Sequence, residues 1–114
     1  MTMSEWIDLC SVKDLQPDSG VCAWAEGRQI ALFYMKKDQA VYAVDNYDPI
    51  GKANVLSRGM IGDLGGTPMV ASPLYKQHYS LETGVCFEDA SVRIETYPVR
   101  IENDRITVKM RGKS

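Results

Sequence analysis

Three cysteines, Cys10, Cys22 and Cys86, and one histidine, His78, are the side chains of this chain best suited to nucleophilic or metal chemistry. Their spacing supplies neither a Cys-x-x-Cys zinc knuckle nor a redox pair of neighbours, and one histidine excludes a His–His metal pair. A dyad of His78 with Cys86 or Cys22 stays open, because residues distant in sequence can meet in space. The plainer reading places His78 in a short strand beside Tyr79 with no proton-transfer role, and makes Cys86 a small buried hydrophobe. No phosphate loop competes. Gly59-Met60-Ile61-Gly62 and Gly65-Gly66 lack the Lys-Ser/Thr ending, and Gly112-Lys113-Ser114 has those letters without a helix to open. The sequence therefore predicts no catalytic residue.

The elements that must position these residues are strands. Short runs of β-branched and aromatic residues alternate with Gly, Pro, Asp or Asn roughly every eight to twelve residues, the spacing of an all-β sandwich or barrel. Trp6 to Val12 reads as a first strand and Lys13-Asp14-Leu15 as a helical turn leading into a loop at Gln16 to Gly20. Val21 to Ala25 and Gln29 to Tyr34 flank Glu26-Gly27-Arg28, a hairpin in which Gly27 can take a positive φ angle. Ala40 to Asp45 completes a small meander, and Lys36-Lys37-Asp38 reads as the turn before it. Val99 and Ile101, then Ile106 and Val108, alternate with polar residues about an Asn103-Asp104 turn, so one face of that hairpin is core and the other wet. Tyr42 and Trp24 are expected in the core.

Between Asn46 and Cys86 the character changes. Glycines at 51, 59, 62, 65, 66 and 84 and prolines at 49, 68 and 73 mark a loop-rich insert. Within it Gly65-Gly66 turns a hairpin into Thr67 to Ser72, and His78 to Leu81 pairs back.

At 114 residues the chain has the length of one domain, 1–114, large enough to bury roughly 65% of its unfolded surface without disulfides. Three widely spaced thiols suit a reducing compartment, and neither a secretory leader nor a membrane span is evident, so a cytoplasmic location is expected. Thirteen Lys and Arg stand against fifteen Asp and Glu, a net charge of −2 with the basic residues scattered. That balance argues against a nucleic-acid partner. It also weakens any reading of Trp24, Tyr42, Tyr47, Tyr75 and Tyr79 as a stacking platform.

One resemblance gathers these features. Val41 to Ile50, Val70 to Tyr75 and Tyr79 to Cys86 resemble the two cluster-binding loops of a Rieske iron-sulfur domain, whose Cys-x-His and Cys-x-x-His motifs hold a two-iron cluster. The ligand positions fall on Asp48, Ile50, Ser72 and Tyr75. Ile50 has no donor atom, and the others offer hard oxygens to a cluster that selects thiolate and imidazole. Residues 46–86 would then be a degenerate cluster-binding subdomain on a Rieske-like antiparallel β-sandwich or partly open barrel. Without a cluster to cross-link them the loops need a plug, for which Ile50, Leu74 and Tyr75 are candidates, with Tyr47 and Tyr75 packing across. An oxygen-rich cation site at Asp48, Ser72 and Tyr75 has too few carboxylates for calcium or magnesium.

Trp6, Val55 to Gly59, Val70 to Leu74 and Gly84 to Glu88, in that order, narrow the resemblance to the small subunits of bacterial assimilatory NADH-dependent nitrite reductase. It implies a non-catalytic subunit required with a large subunit that carries FAD, siroheme and an iron-sulfur cluster and reduces nitrite to ammonium. It implies no cofactor, metal or redox centre in this chain. Tyr47, Asp48, Arg58, Tyr75 and Lys76 are the candidate partner contact, since Tyr and Arg anchor many interfaces. Three alternatives remain: a docking module for another oxidoreductase, a Rieske ferredoxin with unusual ligands, and a small-molecule-binding module or hydrolase using Cys86 and His78.

Overall fold

The computed structural model describes residues 6–110; residues 1–5 and 111–114, which include the Gly112-Lys113-Ser114 stretch, lie outside them. Twelve strands are present among the described residues: β1 (Trp6–Ser11), β2 (Ser19–Ala25), β3 (Arg28–Met35), β4 (Ala40–Asp45), β5 (Tyr47–Asp48), β6 (Ala53–Asn54), β7 (Met60–Leu64), β8 (Thr67–Ala71), β9 (His78–Ser80), β10 (Thr96–Tyr97), β11 (Val99–Glu102) and β12 (Arg105–Lys109). Helix among the described residues is limited to two 3-10 turns, Val12–Asp14 and Leu56–Arg58. The first is closed by a capping box in which Ser11 and Asp14 bond each other's backbone N–H.

The strands form open antiparallel sheets in the orders β1-β12-β11, β10-β4-β3-β2, β5-β6 and β7-β8-β9. The expected architecture is borne out: an all-β, Rieske-like arrangement with almost no helix. At the β2–β3 turn both Glu26 and Gly27 have positive φ, the backbone a tight hairpin needs to match strand twist. Asn103 and Asp104 do the same between β11 and β12.

Strand β3 explains the layering. Its run Ile30-Ala31-Leu32-Phe33 is fully buried although successive side chains point to opposite faces. Ile30 and Leu32 join one core with Leu15, Val41, Ala43, Tyr97, Ile106 and Val108 beneath the β1-β12-β11 sheet. Ala31, Phe33 and Met35 join a second with Val44, Leu56, Val70, Tyr79, Leu81, Cys86 and Ile94, beneath the β7-β8-β9 sheet. The central sheet is thus covered on both sides, which is why β3 reads as a continuous apolar run and not as an alternation.

Two packing expectations need correction. Trp24 is 65% exposed. On edge strand β2 it shares an outward face with Cys22, while Val21, Ala23 and Ala25 face the first core, so the period of two carries it out of the interior. Ile101 also lies open on edge strand β11, although its cross-strand partner Ile106 is buried. Tyr42 does pack against the second core.

Candidate functional site

The two loops that matter are mounted on the second core. The first leaves β5, turns at 49–52 and returns through β6; the second runs from β8 to β9 over 72–77. Each closes on itself by local hydrogen bonds. In the first, the Ile50 N–H donates to Asp48 Oδ1 at 3.0 Å and the Lys52 N–H to the Asp48 carbonyl at 2.6 Å. In the second, the Ser72 N–H donates to the Gln77 carbonyl at 2.9 Å, the Lys76 N–H to the Ser72 carbonyl at 3.1 Å and the Leu74 N–H to Ser72 Oγ at 3.2 Å. These are the side-chain-assisted turns that Asp and Ser favour. Asn46 anchors the base of the first loop, accepting from the Ser57 N–H at 2.7 Å and donating to Gln29 Oε1 at 2.9 Å.

What joins the two loops is a buried carboxylate. Asp48 has no exposed surface. Its oxygens accept from Ser72 Oγ at 2.5 Å, from Tyr79 OH at 2.8 Å and from Gln77 Nε2 at 2.8 and 2.9 Å, besides the Ile50 N–H. Gly51 lies so close that an added Cβ would stand 2.9 Å from Asp48 Oδ2 and 2.5 Å from Leu74 Cδ1. A side chain there would push the loop off the carboxylate. No ion pair reaches Asp48 among the described residues; neutral donors surround it. Burial pushes its carboxyl up, but the bonds from Ser72, Tyr79 and the Gly51 and Ile50 N–H groups outweigh that and hold it below the usual carboxylate value. Burial, with Asp48 alongside, pushes the Tyr79 phenol well above its usual value, so it serves as a proton donor to the carboxylate.

The sequence-derived site residues therefore separate into two groups. Asp48 and Ser72 meet inside the molecule. Ile50, Leu74 and Tyr75 do not form the expected plug: they are 38%, 45% and 70% exposed, and Tyr47 and Tyr75 do not seal the gap between the loops. The plug is polar instead, because Ser72 lies within hydrogen-bond reach of Asp48 and leaves the space between the loops filled by donors. Of the five candidate contact residues, Tyr47, Arg58, Tyr75 and Lys76 are exposed, while Asp48 lies beneath them. Gln77 and Tyr79 are the site residues that the motif did not reveal. Their spacing of two places Gln77 and Tyr79 on one buried face but does not name Asp48 as their common partner.

The Cys–His dyad left open by the sequence is not assembled. Glu88 intervenes, accepting from the His78 N–H at 2.8 Å and bonding His78 Nδ1 through its other oxygen at 2.6 Å. The Cys86 thiol points at the same carboxylate, 3.6 Å from Oε1. Burial, and then the Glu88 charge against the opposing backbone N–H bonds, pushes that thiol up, away from the thiolate a nucleophile needs.

A two-iron cluster does not fit these residues. Asp48 and Ser72 bond each other where two thiolates would face the metal, Ile50 has no donor atom, and Tyr75 turns to solvent. No group of His, Cys, Asp and Glu suited to a metal ion occurs among the described residues.

The model of the Rieske-like [2Fe-2S] domain matches residues 5–109. The nitrite reductase (NADH) small subunit of Salmonella typhimurium is 40% identical over 110 residues, 96% of this chain and all of that protein. The chain belongs to the Rieske-like family, in its nitrite reductase (NADH) small-subunit branch. Among solved structures, the nitrite reductase [NAD(P)H] small subunit from Erwinia carotovora superimposes with a TM-score of 0.82 at 38% identity, covering 98% of this chain and 86% of that one. A stretch of the nitrite reductase [NAD(P)H] large subunit of Klebsiella oxytoca is also similar to this chain: 41% identity over 103 residues, 90% of this chain but 11% of that protein.

Proposed function

We propose that this chain is the cluster-free accessory subunit of a cytoplasmic NADH-dependent nitrite reductase, working with a large subunit that carries FAD, siroheme and an iron-sulfur cluster to reduce nitrite to ammonium in nitrate and nitrite assimilation. The observation that carries the reading is the Asp48–Ser72–Gln77–Tyr79 network. It holds the two loops of a Rieske-like fold together with hydrogen bonds where the family description implies a cluster. A chain with no redox centre contributes by docking, and the loops held by Asp48 give it a rigid tip to dock with. In this reading residues 1–114 act as one unit, 46–86 are the degenerate cluster-binding subdomain, and Tyr47, Arg58, Tyr75 and Lys76 touch the large subunit while Asp48 holds them from below. The Klebsiella oxytoca protein supports the same pairing, because a sequence like this one is carried within a large subunit there.

Iron analysis and visible absorption of the purified chain test the cluster-free part. The expected preparation is colourless and free of stoichiometric iron, even after anaerobic incubation with iron and sulfide. Stoichiometric iron with visible thiolate-to-iron absorption would make the chain an electron carrier and overturn the proposal.

A further inference from the structure

The loop tips differ in charge from the rest of the molecule. Between residues 46 and 77 the charged side chains are Lys52, Arg58 and Lys76 against Asp48 and Asp63, and Asp48 is buried. The exposed charge of this segment is therefore positive on a chain whose net charge is −2. Neither Arg58 nor Lys76 has an ion-pair partner among the described residues. The two line one cleft of about 190 Å³, walled by Gly59, Met60, Ala71, Ser72 and Pro73, with no acidic residue among the described residues that line it. Arg58 ends the 3-10 turn before β7, and Lys76 sits at a positive φ of 63° in the 72–77 loop, so the loop closure that Asp48 enforces also fixes the width of the cleft. Ser72 has no spare proton to offer there, since its hydroxyl donates to Asp48. At the rim Met60 is 78% exposed, a flexible apolar side chain of the kind that adapts to a partner surface.

We propose that this cleft receives a carboxylate side chain of the nitrite reductase large subunit, clamped between the Arg58 guanidinium and the Lys76 ammonium, with Met60 and Pro73 covering its aliphatic stem. The inference rests on the docking reading and adds the chemistry of the contact. A guanidinium presents paired N–H groups that match a carboxylate, and an ammonium adds a second, mobile charge. A free anion gains little from two exposed cations, because water screens them. A carboxylate delivered by a docking surface meets the same cations with water excluded, where the attraction is several times larger.

The test combines the separately purified large subunit with this chain and adds a water-soluble carbodiimide. That reagent activates a carboxylate, the amine displaces it to form an amide, and the carbodiimide leaves as its urea, so the linked peptides weigh one water less than their sum. Mass spectrometry is expected to find Lys76 joined to an Asp or Glu of the large subunit. Arg58→Glu and Lys76→Glu are each expected to weaken the complex about tenfold or more at low salt, an effect that shrinks as salt is added. Reversing the charge of the cross-linked carboxylate should recover affinity for Arg58→Glu. Circular dichroism establishes that each variant is folded, and Arg58→Gln repeats the measurement without a reversed charge. A complex of unchanged affinity in both variants, with Lys76 unlinked, overturns the clamp while leaving the docking reading in place. Absence of any complex with the unaltered chain overturns both. Amide shifts at Gly59, Met60 and Lys76 on adding millimolar nitrite or acetate to the chain alone would assign the cleft to a small anion and overturn the proposal.

Discussion

Replacing Asp48 with alanine is expected to remove about 4 kcal/mol of stability, which for a domain this size is a large share of the roughly 5–15 kcal/mol available. The substitution leaves the buried Ser72 and Tyr79 hydroxyls and Gln77 amide, and the half-buried Ile50 N–H, without their common acceptor, and each buried donor so stranded costs about 1–3 kcal/mol before the protein relaxes. Asp48→Asn keeps the shape and one acceptor oxygen but turns an amide N–H toward the donors; about 2 kcal/mol is the expected loss. Tyr79→Phe and Ser72→Ala, which each remove one donor, should cost about 1–2 kcal/mol. Urea melts of the four variants check the order, alanine worst. The same carboxylate sets an acid limb. Because hydrogen bonds hold the folded Asp48 below its unfolded value of 3.8, its contribution is fully present above that pH and is lost as the pH falls through the folded value. The stability of the unaltered chain should therefore fall below about pH 4, and that part of the acid dependence should vanish in Asp48→Asn.

Introducing aspartate at both Leu74 and Tyr75 is expected to abolish association with the large subunit while leaving the fold untouched. The two side chains are 45% and 70% exposed, and Leu74 rests on the Gly51 turn, so the pair forms the apolar centre of the tip with charged Arg58 and Lys76 beside it. Truncating a central anchor typically weakens an interface by about 2 kcal/mol or more. Two negative charges in place of two anchors add repulsion from the carboxylate proposed to enter the neighbouring Arg58–Lys76 cleft, so a loss of affinity of about a hundredfold is expected. Calorimetric titration of the large subunit reads the affinity, and an unchanged thermal midpoint of the free chain separates docking from folding. Retained affinity would move the interface away from these loops.

How much of this was legible in the sequence depends on whether one period or two governed the residue. Strands β4, β11 and β12, the two hairpin turns and the return of His78 against β8 follow from alternation and turn chemistry and stand close to where the sequence puts them. The aromatic character of Trp24 points to the core, but its parity with Cys22 on an edge strand carries it to the outer face. The missing ligands at Asp48, Ile50, Ser72 and Tyr75 were visible from the motif, but their replacement was not. A plug was expected from the apolar residues, Ile50, Leu74 and Tyr75, whereas the interior is held by the polar ones. The deciding partners, Gln77 and Tyr79, lie 29 and 31 residues from Asp48, and nothing in local spacing reports so distant a hydrogen bond. The apolar residues left over became exposed, and so available to a partner.

The most direct test is the rate at which the separately purified large subunit oxidises NADH with nitrite, measured with and without this chain at a saturating concentration. Addition of the chain is expected to raise nitrite consumption steeply, with the Leu74/Tyr75 double variant failing to do so. Equal rates with and without the chain would contradict an accessory role in the reaction, leaving the Rieske-like fold without the function proposed for it.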